Sequence, residues 1–370
     1  MSDVAVVVYG ATGFTGRLVC AELARREVRF AVAGRDQAKL TALAASLGKA
    51  QPEVLVAALD DRAALEKAIA RGRVVLACAG PFARMGEPVR EAALAAGRHY
   101  LDITGESEYM LATYARDAEA RRRNVALVNA VGFDVVPTDA AAVLAADAVG
   151  GQPELLRIAI RFGGRATQGT TRSAIEHADK GGLAYIAGKY VTEPVATDRW
   201  HAEFPPPIGD RVCVSIPWGD LATAPRSTGA RTIRTYMAVS PAAARVAPLL
   251  GLAGKALSWG PAKRLAEHWV SSLPEGPSDA ERARARCAVV AEAQSGARTS
   301  RAWVTAGDGY DFTAAAAVEC AMRAAADGFD KKGALTPTQA FGARALLEAL
   351  AAHDVRFGVD APVLAERRAP

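Results

Sequence analysis

Val4-Ala5-Val6-Val7-Val8-Tyr9 is an unbroken apolar run rich in β-branched residues, and Gly10-Ala11-Thr12-Gly13-Phe14-Thr15-Gly16 follows with no intervening residue. Such a run reads as a strand buried on both faces. After Gly16 the pattern changes: Leu18, Val19, Ala21, Leu23 and Ala24 fall at helical spacing, with Arg17, Glu22, Arg25 and Arg26 between them. The order strand, glycine turn, helix is what a dinucleotide pyrophosphate requires. One glycine turns the chain, one lets backbone approach the phosphates, and one lets the helix pack on the strand with its N-terminal amides toward the negative charge. The spacing is G-x-x-G-x-x-G. Glycines alone would mark only a tight turn, and it is the flanking strand and helix that point to nucleotide binding at Gly10, Ala11, Thr12, Gly13, Phe14, Thr15 and Gly16.

The same alternation continues. Strands are expected at residues 29–33, 54–58, 74–78, 100–103 and 125–128, with helices at about 37–47, 63–70, 87–96 and 108–123 between them. Strands alternating with helices imply a parallel sheet with right-handed crossovers. Beyond residue 131 the strands lengthen and carry polar residues on alternate positions, as in Thr232-Ile233-Arg234-Thr235-Tyr236-Met237. That alternation belongs to a largely antiparallel sheet with one covered face. The fold class expected is α/β, a doubly wound parallel sheet (residues 1–131) with a second α+β domain (132–332), and a helical segment (333–370) returning to the first domain.

At 370 residues the chain is long enough for two cores, and its 51% hydrophobic and 23% charged composition excludes extended disorder. Net charge is +5, with no basic block of the length used by nucleic-acid arms; Arg121-Arg122-Arg123 sits at the end of an expected helix, where cations suit the dipole. Nucleic acid is therefore not an expected partner. The five cysteines lie far apart, with no C-x-x-C pair and no histidine at ligand spacing, so neither a metal nor a disulfide framework is expected and a reducing, cytoplasmic setting is. The first strand begins at Val4, which leaves no room for a signal peptide, and no apolar stretch approaches the about 20 residues needed to span a membrane.

The end of the second strand, Gly34-Arg35-Asp36, selects between nicotinamide cofactors. An acidic residue there binds the ribose 2′-hydroxyl of NAD, whereas an arginine suits the 2′-phosphate of NADP. Arg35 holds the strand end and Asp36 falls where the next helix needs a cap, which favours NADP. Gly80-Pro81-Phe82 follows the fourth strand, where backbone must pass close beneath the nicotinamide ribose. Around the fifth strand lie Tyr100, Asp102, Thr104 and Glu106. Two readings stand for these carboxylates: binding substrate or moving a proton at the rim, or holding backbone and the next helix N-terminus. Asp134, after the sixth strand, points to the same rim, and Asp139 reads as a helix cap. Glu106, Asp134 and Tyr100 are the candidate catalytic residues.

The four stretches 10–16, 79–82, 100–106 and 132–139, taken in order with Gly276-Pro277-Ser278, Asp308-Gly309-Tyr310 and Leu335-Thr336-Pro337, resemble the saccharopine-dehydrogenase-like oxidoreductases, and within them the bacterial trans-acting enoyl reductases. The resemblance implies an N-terminal Rossmann domain, a central α+β domain used in dimerisation, a C-terminal segment returning to the first domain, and NADPH-dependent reduction. Its enoyl-reductase branch implies reduction of an α,β-double bond on a carrier-bound acyl or polyketide thioester. Its saccharopine branch implies reduction of an imine, which needs arginines for substrate carboxylates, and Arg157, Arg161, Arg165 and Arg172 are available in sequence. A non-catalytic NADP-binding sensor is the reading from a different class. Residues 240–273 add one further expectation: Ser240-Pro241 opens a helix, Pro261 restarts one, and no Asp or Glu occurs between Ala242 and Ala266 although Arg245, Lys255, Lys263 and Arg264 do. Two accounts stand for it, an amphipathic hairpin buried on the central sheet or at a dimer interface, and a docking surface for an acyl-carrier domain or an anionic membrane, which would place the protein at the inner membrane face.

Overall fold

The computed structural model describes residues 4–177, 182–247 and 260–364. The chain divides into two compact units, residues 1–136 with 310–342, and residues 137–309 with 343–370.

The first unit is built on a parallel sheet. Its strands in chain order are β1 (Val4–Tyr9), β2 (Phe30–Gly34), β3 (Glu53–Val56), β4 (Gly72–Ala77), β5 (His99–Asp102) and β6 (Ala126–Val128). A seventh, Gly333–Leu335, pairs with β6, giving the order 333–335, β6, β5, β4, β1, β2, β3. β1 lies between β2 and β4, with Val6 opposite Phe30 on one side and Val74 on the other. Val6, Val7 and Val8 are wholly buried, as a strand covered on both faces requires. The crossovers are α1 (Phe14–Arg25), α2 (Gln37–Ser46), α3 (Arg62–Ile69), α4 (Phe82–Ala96), α5 (Ser107–Tyr114) and α6 (Asp117–Arg122).

The second unit carries a ten-stranded mixed sheet. It contains β7 (Leu155–Arg161), β8 (Gly182–Ile186), β9 (Lys189–Glu193), β10 (Arg199–Phe204), β11 (Gly209–Ser215), β12 (Thr232–Ala238), β13 (Cys287–Ser295) and β14 (Arg298–Ala306), joined by strands at Arg356–Val359 and Val363–Leu364. Among the described residues of this unit only β7 and β12 pair in parallel. β13 and β14 close on the two-residue turn Gly296-Ala297, with Gly296 at φ 56, the backbone sign that a tight hairpin favours. Alternate residues of β14, Ser300, Ala302, Val304 and Ala306, are buried, so one face is covered. Tyr236 and Phe204 fill the core on the other strands, with Trp200 and Trp303 packed beside them.

Several expectations are corrected. Residues 108–123 form two helices, α5 and α6, rather than one. Helix Gly309–Ala325 falls within the stretch expected in the second domain, yet from Tyr310 onward it belongs to the first unit. Residues 343–370, expected to return to the parallel sheet, belong to the second unit, and only 310–342 return. Asp139 lies within the first turn of helix Val136–Val149 and is wholly buried, so it does not precede the helix as a cap. Helix α4 begins at Phe82, five residues before the expected start at Glu87, with Pro88 inside it. Ser240 does cap Pro241–Val246, its hydroxyl accepting from Ala243 N–H at 3.1 Å.

Candidate active site

At the carboxyl edge of the parallel sheet the chain leaves β1 through Gly10, which sits at φ 79. A Cβ there would come within 2.7 Å of the Ala79 nitrogen, and a Cβ on Gly16 within 2.3 Å of the Gly10 carbonyl oxygen. Both glycines are demanded by the protein's own packing. Gly13 is different. It is exposed, a Cβ on it would meet only the Gly10 oxygen at 3.5 Å, and as the residue preceding α1 it offers no side-chain cap to the helix amides. No acidic residue occupies the first turn of α1. Uncapped amides beneath an open glycine fit a pyrophosphate. Ala11 is buried, Thr12 accepts from the Arg17 guanidinium at 2.7 Å through its carbonyl, and Phe14 and Thr15 are partly exposed. Gly13→Ala is expected to leave thermal stability nearly unchanged and to weaken NADPH, whereas Gly16→Ala should lower the melting temperature; thermal melts with NADPH titration check both, and equal behaviour of the two would remove the distinction.

Arg35 is exposed at the end of β2, and Asp36 caps α2, its carboxylate accepting from Lys39 N–H at 3.0 Å. Asp36 is thus engaged as a cap, and the strand end presents an arginine. Tyr9, at the end of β1, donates its hydroxyl to the Ala57 carbonyl at 3.1 Å, and Ala57 N–H donates to Gly34 at 2.8 Å, so the loop after β3 is held beside Arg35. Burial pushes the Tyr9 phenol up to about 12 against the opposing pull of Arg35, which keeps it a neutral donor.

Glu106 accepts from Phe82 N–H and Ala83 N–H, both at 2.8 Å. Its carboxylate therefore caps α4 from another loop and fixes Gly80-Pro81-Phe82, which is why the helix starts at Phe82. Gly80 is exposed and Phe82 is buried. Of the two readings for Glu106, the structure places it as a positioning residue. A glutamine offers one acceptor oxygen for two donors, so Glu106→Gln should cost about 1–3 kcal/mol of stability through the amide left unsatisfied. The measurement is the melting temperature, and an unchanged value would show that the cap is replaced by water.

Asp102 is wholly buried. It accepts from Ala130 N–H at 2.9 Å, Thr104 N–H at 3.1 Å and the Asn129 amide at 2.6 Å. Burial raises its carboxyl to about 6 against the pull of these donors and the Tyr100 hydroxyl. Ala130 is held at φ 61, a left-handed conformation that costs an alanine about 1–2 kcal/mol. Tyr100, expected among the catalytic residues, is corrected to an interior group: it is wholly buried, its hydroxyl 2.9 Å from that of Tyr109, and burial raises its phenol further. Asp134 is placed differently. It is only partly buried, and its Oδ2 would stand 2.8 Å from a Cβ on Gly105, so this glycine leaves room for the carboxyl. Burial pushes the Asp134 carboxyl up to about 6.

The helix Gly309–Ala325 adds residues whose role the sequence did not disclose. Tyr310 packs edge-on against Phe14 at 5.3 Å between ring centroids, and Phe312 against Phe133 at 5.5 Å. Thr313 Oγ1 accepts from Phe133 N–H at 3.0 Å, so this helix fixes the loop that carries Asp134. The only legible signal was the Asp308-Gly309-Tyr310 pattern itself.

A glycine turn opening a helix without a side-chain cap, an arginine at the second strand end and a carboxyl that burial raises to about 6 at the same sheet edge are the features of a nucleotide-dependent oxidoreductase. Residues 6–129 match the saccharopine dehydrogenase NADP binding domain, which marks the chain as an oxidoreductase with NADP as its cofactor. It is 28% identical to a protein named as a trans-acting enoyl reductase of Mycobacterium tuberculosis, over 95% of this chain and 96% of that one. It is 30% identical to the saccharopine dehydrogenase-like oxidoreductase of Mus musculus, over 51% of this chain and 50% of that one. The fold is that of the apo saccharopine dehydrogenase (L-Glu forming) of Saccharomyces cerevisiae, at TM-score 0.63 and 16% identity, with 97% of this chain and 99% of that chain covered.

Proposed function

We propose that this NADP-dependent oxidoreductase is an enoyl reductase acting on an acyl, polyketide or lipid-like thioester. The observation that carries the reading is the extent of the enoyl-reductase similarity, which runs through both units, whereas the mouse oxidoreductase is matched over about half its length. NADPH, when bound, supplies a hydride to an electron-poor carbon. The α1 N-terminus with Gly13 would hold its pyrophosphate, Arg35 would meet its 2′-phosphate, and the Gly80-Pro81 backbone fixed by Glu106 would hold its nicotinamide ribose. With the hydride on the β-carbon, the electron pair of the double bond passes to the thioester as an enolate. Asp134 then gives its proton to the α-carbon, and the carboxyl regains one from water.

The arginines that an imine-reducing enzyme would aim at substrate carboxylates are engaged inside their own unit. Arg157 pairs with Glu292 at 3.0 Å, Arg165 with Glu281 at 3.2 Å, Arg161 donates to the Arg286 carbonyl at 2.7 Å, and Arg172 to Gln168 at 3.2 Å. Stopped-flow oxidation of NADPH with a panel of enoyl thioesters, and separately with amines plus aldehydes, tests the reading. Oxidation by enoyl thioesters alone is expected. Turnover only with amine and aldehyde, or with neither, would overturn it in favour of an imine reductase or a sensor.

A further inference from the structure

Of the basic segment 240–273, Lys255 and the side chains of Lys263 and Arg264 lie outside the described residues, while Leu265 and Trp269 stand exposed. The first turn of helix Gly309–Ala325 reaches the candidate site itself. Tyr310 packs on Phe14, the first residue of α1, so this turn touches the end of the glycine turn. Further along, Glu319 accepts from Arg26, at the C-cap of α1, and from Arg323, both at 2.7 Å, and these pairs hold the helix along α1. The same first turn holds the loop that follows β6. There Ala130 N–H donates to the Asp102 carboxylate at 2.9 Å, Val131 N–H to the Asp102 carbonyl at 2.8 Å, and Val136 N–H to the Gly132 carbonyl at 2.9 Å. Between these anchors Phe133 N–H donates to Thr313 Oγ1 at 3.0 Å, and the next residue is Asp134. A Cβ on Gly132 would stand 2.7 Å from Thr313 Cγ2, so the glycine lets the loop lie close enough for that bond. Phe133 and Thr313 are both buried.

We propose that Thr313 is a positioning residue for the proton donor: its hydroxyl sets where the Asp134 carboxyl stands, over Gly105, relative to the cofactor turn that Tyr310 touches. The proposal rests on the reading of Asp134 as the donor in the enoyl reduction. A buried amide that loses its acceptor must find another, and Phe133 N–H does so by moving the loop. The Phe133 ring, packed edge-on against Phe312, keeps the loop on the helix meanwhile, so the consequence is a shift rather than unfolding. A small shift is enough. Misplacing a reacting group by about 1 Å costs up to about a hundredfold in rate. Thr313 reaches this loop across 180 residues of sequence, so no local spacing announces the pair.

Thr313→Val keeps the shape of the side chain and removes the acceptor, whereas Thr313→Ser keeps the acceptor. With NADPH and an enoyl thioester, Thr313→Val is expected to lower kcat about tenfold or more while NADPH affinity changes less than about twofold, and Thr313→Ser to recover most of the rate. Gly132→Ala, which drives a methyl group against an intact Thr313, should lower kcat likewise. The rate limb above about pH 6 is a readout that lost stability alone would not move: a displaced Asp134 carboxyl meets more water, so its limb should shift to lower pH in Thr313→Val. A second measurement needs no substrate. Asp134→Asn is made in the unmutated protein and in Thr313→Val, and each is melted beside its parent at pH 7.5. The gap between Asp134→Asn and its parent should shrink by about half or more in the Thr313→Val background, because burial then raises the carboxyl less. A gap that shrinks in a protein that does not turn over enoyl thioesters upholds the placing of Asp134 by Thr313 and overturns the enoyl reading alone. No gap in either background, a gap unchanged by Thr313→Val, unaltered kcat in that variant, equal losses of kcat and NADPH affinity, or Thr313→Ser as impaired as Thr313→Val each overturns the proposal, the circular dichroism spectrum verifying that the variants fold.

Discussion

Asp134→Asn is expected to lower turnover by about a hundredfold or more, the loss typical of removing a positioned proton donor, while leaving NADPH affinity nearly unchanged. The substitution keeps shape and removes the proton that the α-carbon must receive. It should also separate function from stability. A carboxyl whose folded pKa is about 6, above the unfolded value near 3.8, binds more protons folded than unfolded between those pH values. Its contribution to stability is therefore fully present below the unfolded pKa and is lost as pH rises through about 6. The asparagine variant has no such loss, so its melting temperature at pH 7.5 should equal or exceed that of the unmutated protein, and the difference should close in acid. In the unmutated protein the rate should fall as pH rises above about 6, because the acid form is the donor, and the variant should lack that limb. Gly105→Ala is the companion test: its methyl group would press on the Asp134 carboxyl at 2.8 Å, lowering the rate without removing the acid. Undiminished turnover in Asp134→Asn would assign the proton to another group.

The parallel sheet was legible because its signals are local. Val4 to Tyr9 is apolar at every position, and the strand is buried on both faces; the glycines follow at once, and Asp36 caps α2 from the preceding residue, as its place in the sequence suggests. What could not be read was set by partners distant in the chain. Glu106 caps α4 from 24 residues away, and without that contact Pro88 argues for a later helix start. The strand Gly333–Leu335 is three residues long and carries no periodicity, yet Gly333 N–H donates to the Val125 carbonyl and the strand extends the sheet beyond β6. In the second unit the hairpin β8–β9 turns on Ala187 and Gly188, both at positive φ, and an alanine gives no turn signal to find it by.

The candidate site divides along the same line. Residues whose function depends on backbone shape, Gly10, Gly13 and Gly16, follow from spacing. Those whose function depends on surroundings do not. Glu106 and Asp134 are both carboxylates at the sheet edge, but one accepts from two helix amides and the other stands over Gly105 with its carboxyl shifted toward neutrality. Tyr100 shares the rim in sequence, yet the pleat turns its side chain to the interior and Tyr109. Sequence position brings all three to one edge; which of them faces a substrate is decided by packing.

Arg35→Ala should weaken NADPH by roughly tenfold to a hundredfold and leave NADH nearly unaffected, from a charge-assisted contact worth about 1.5–3 kcal/mol. The side chain is exposed in the free protein, so water competes for the phosphate and the lower part of that range is the more realistic. Lys39, one turn into α2, is the other cation near the strand end, but its ammonium lies 3.8 Å from the Asp36 carboxylate and is partly neutralised there. Discrimination is therefore expected to rest on Arg35. Asp36→Ala supplies the contrast. It removes the α2 cap, which should cost about 1 kcal/mol of stability, and it should lower affinity for both cofactors alike if it lowers it at all. Fluorescence titration of both variants with NADPH and with NADH decides the matter: a loss confined to NADPH in Arg35→Ala ties that guanidinium to the 2′-phosphate, and equal losses for the two cofactors would make Arg35 a support of the loop rather than a reader of the phosphate.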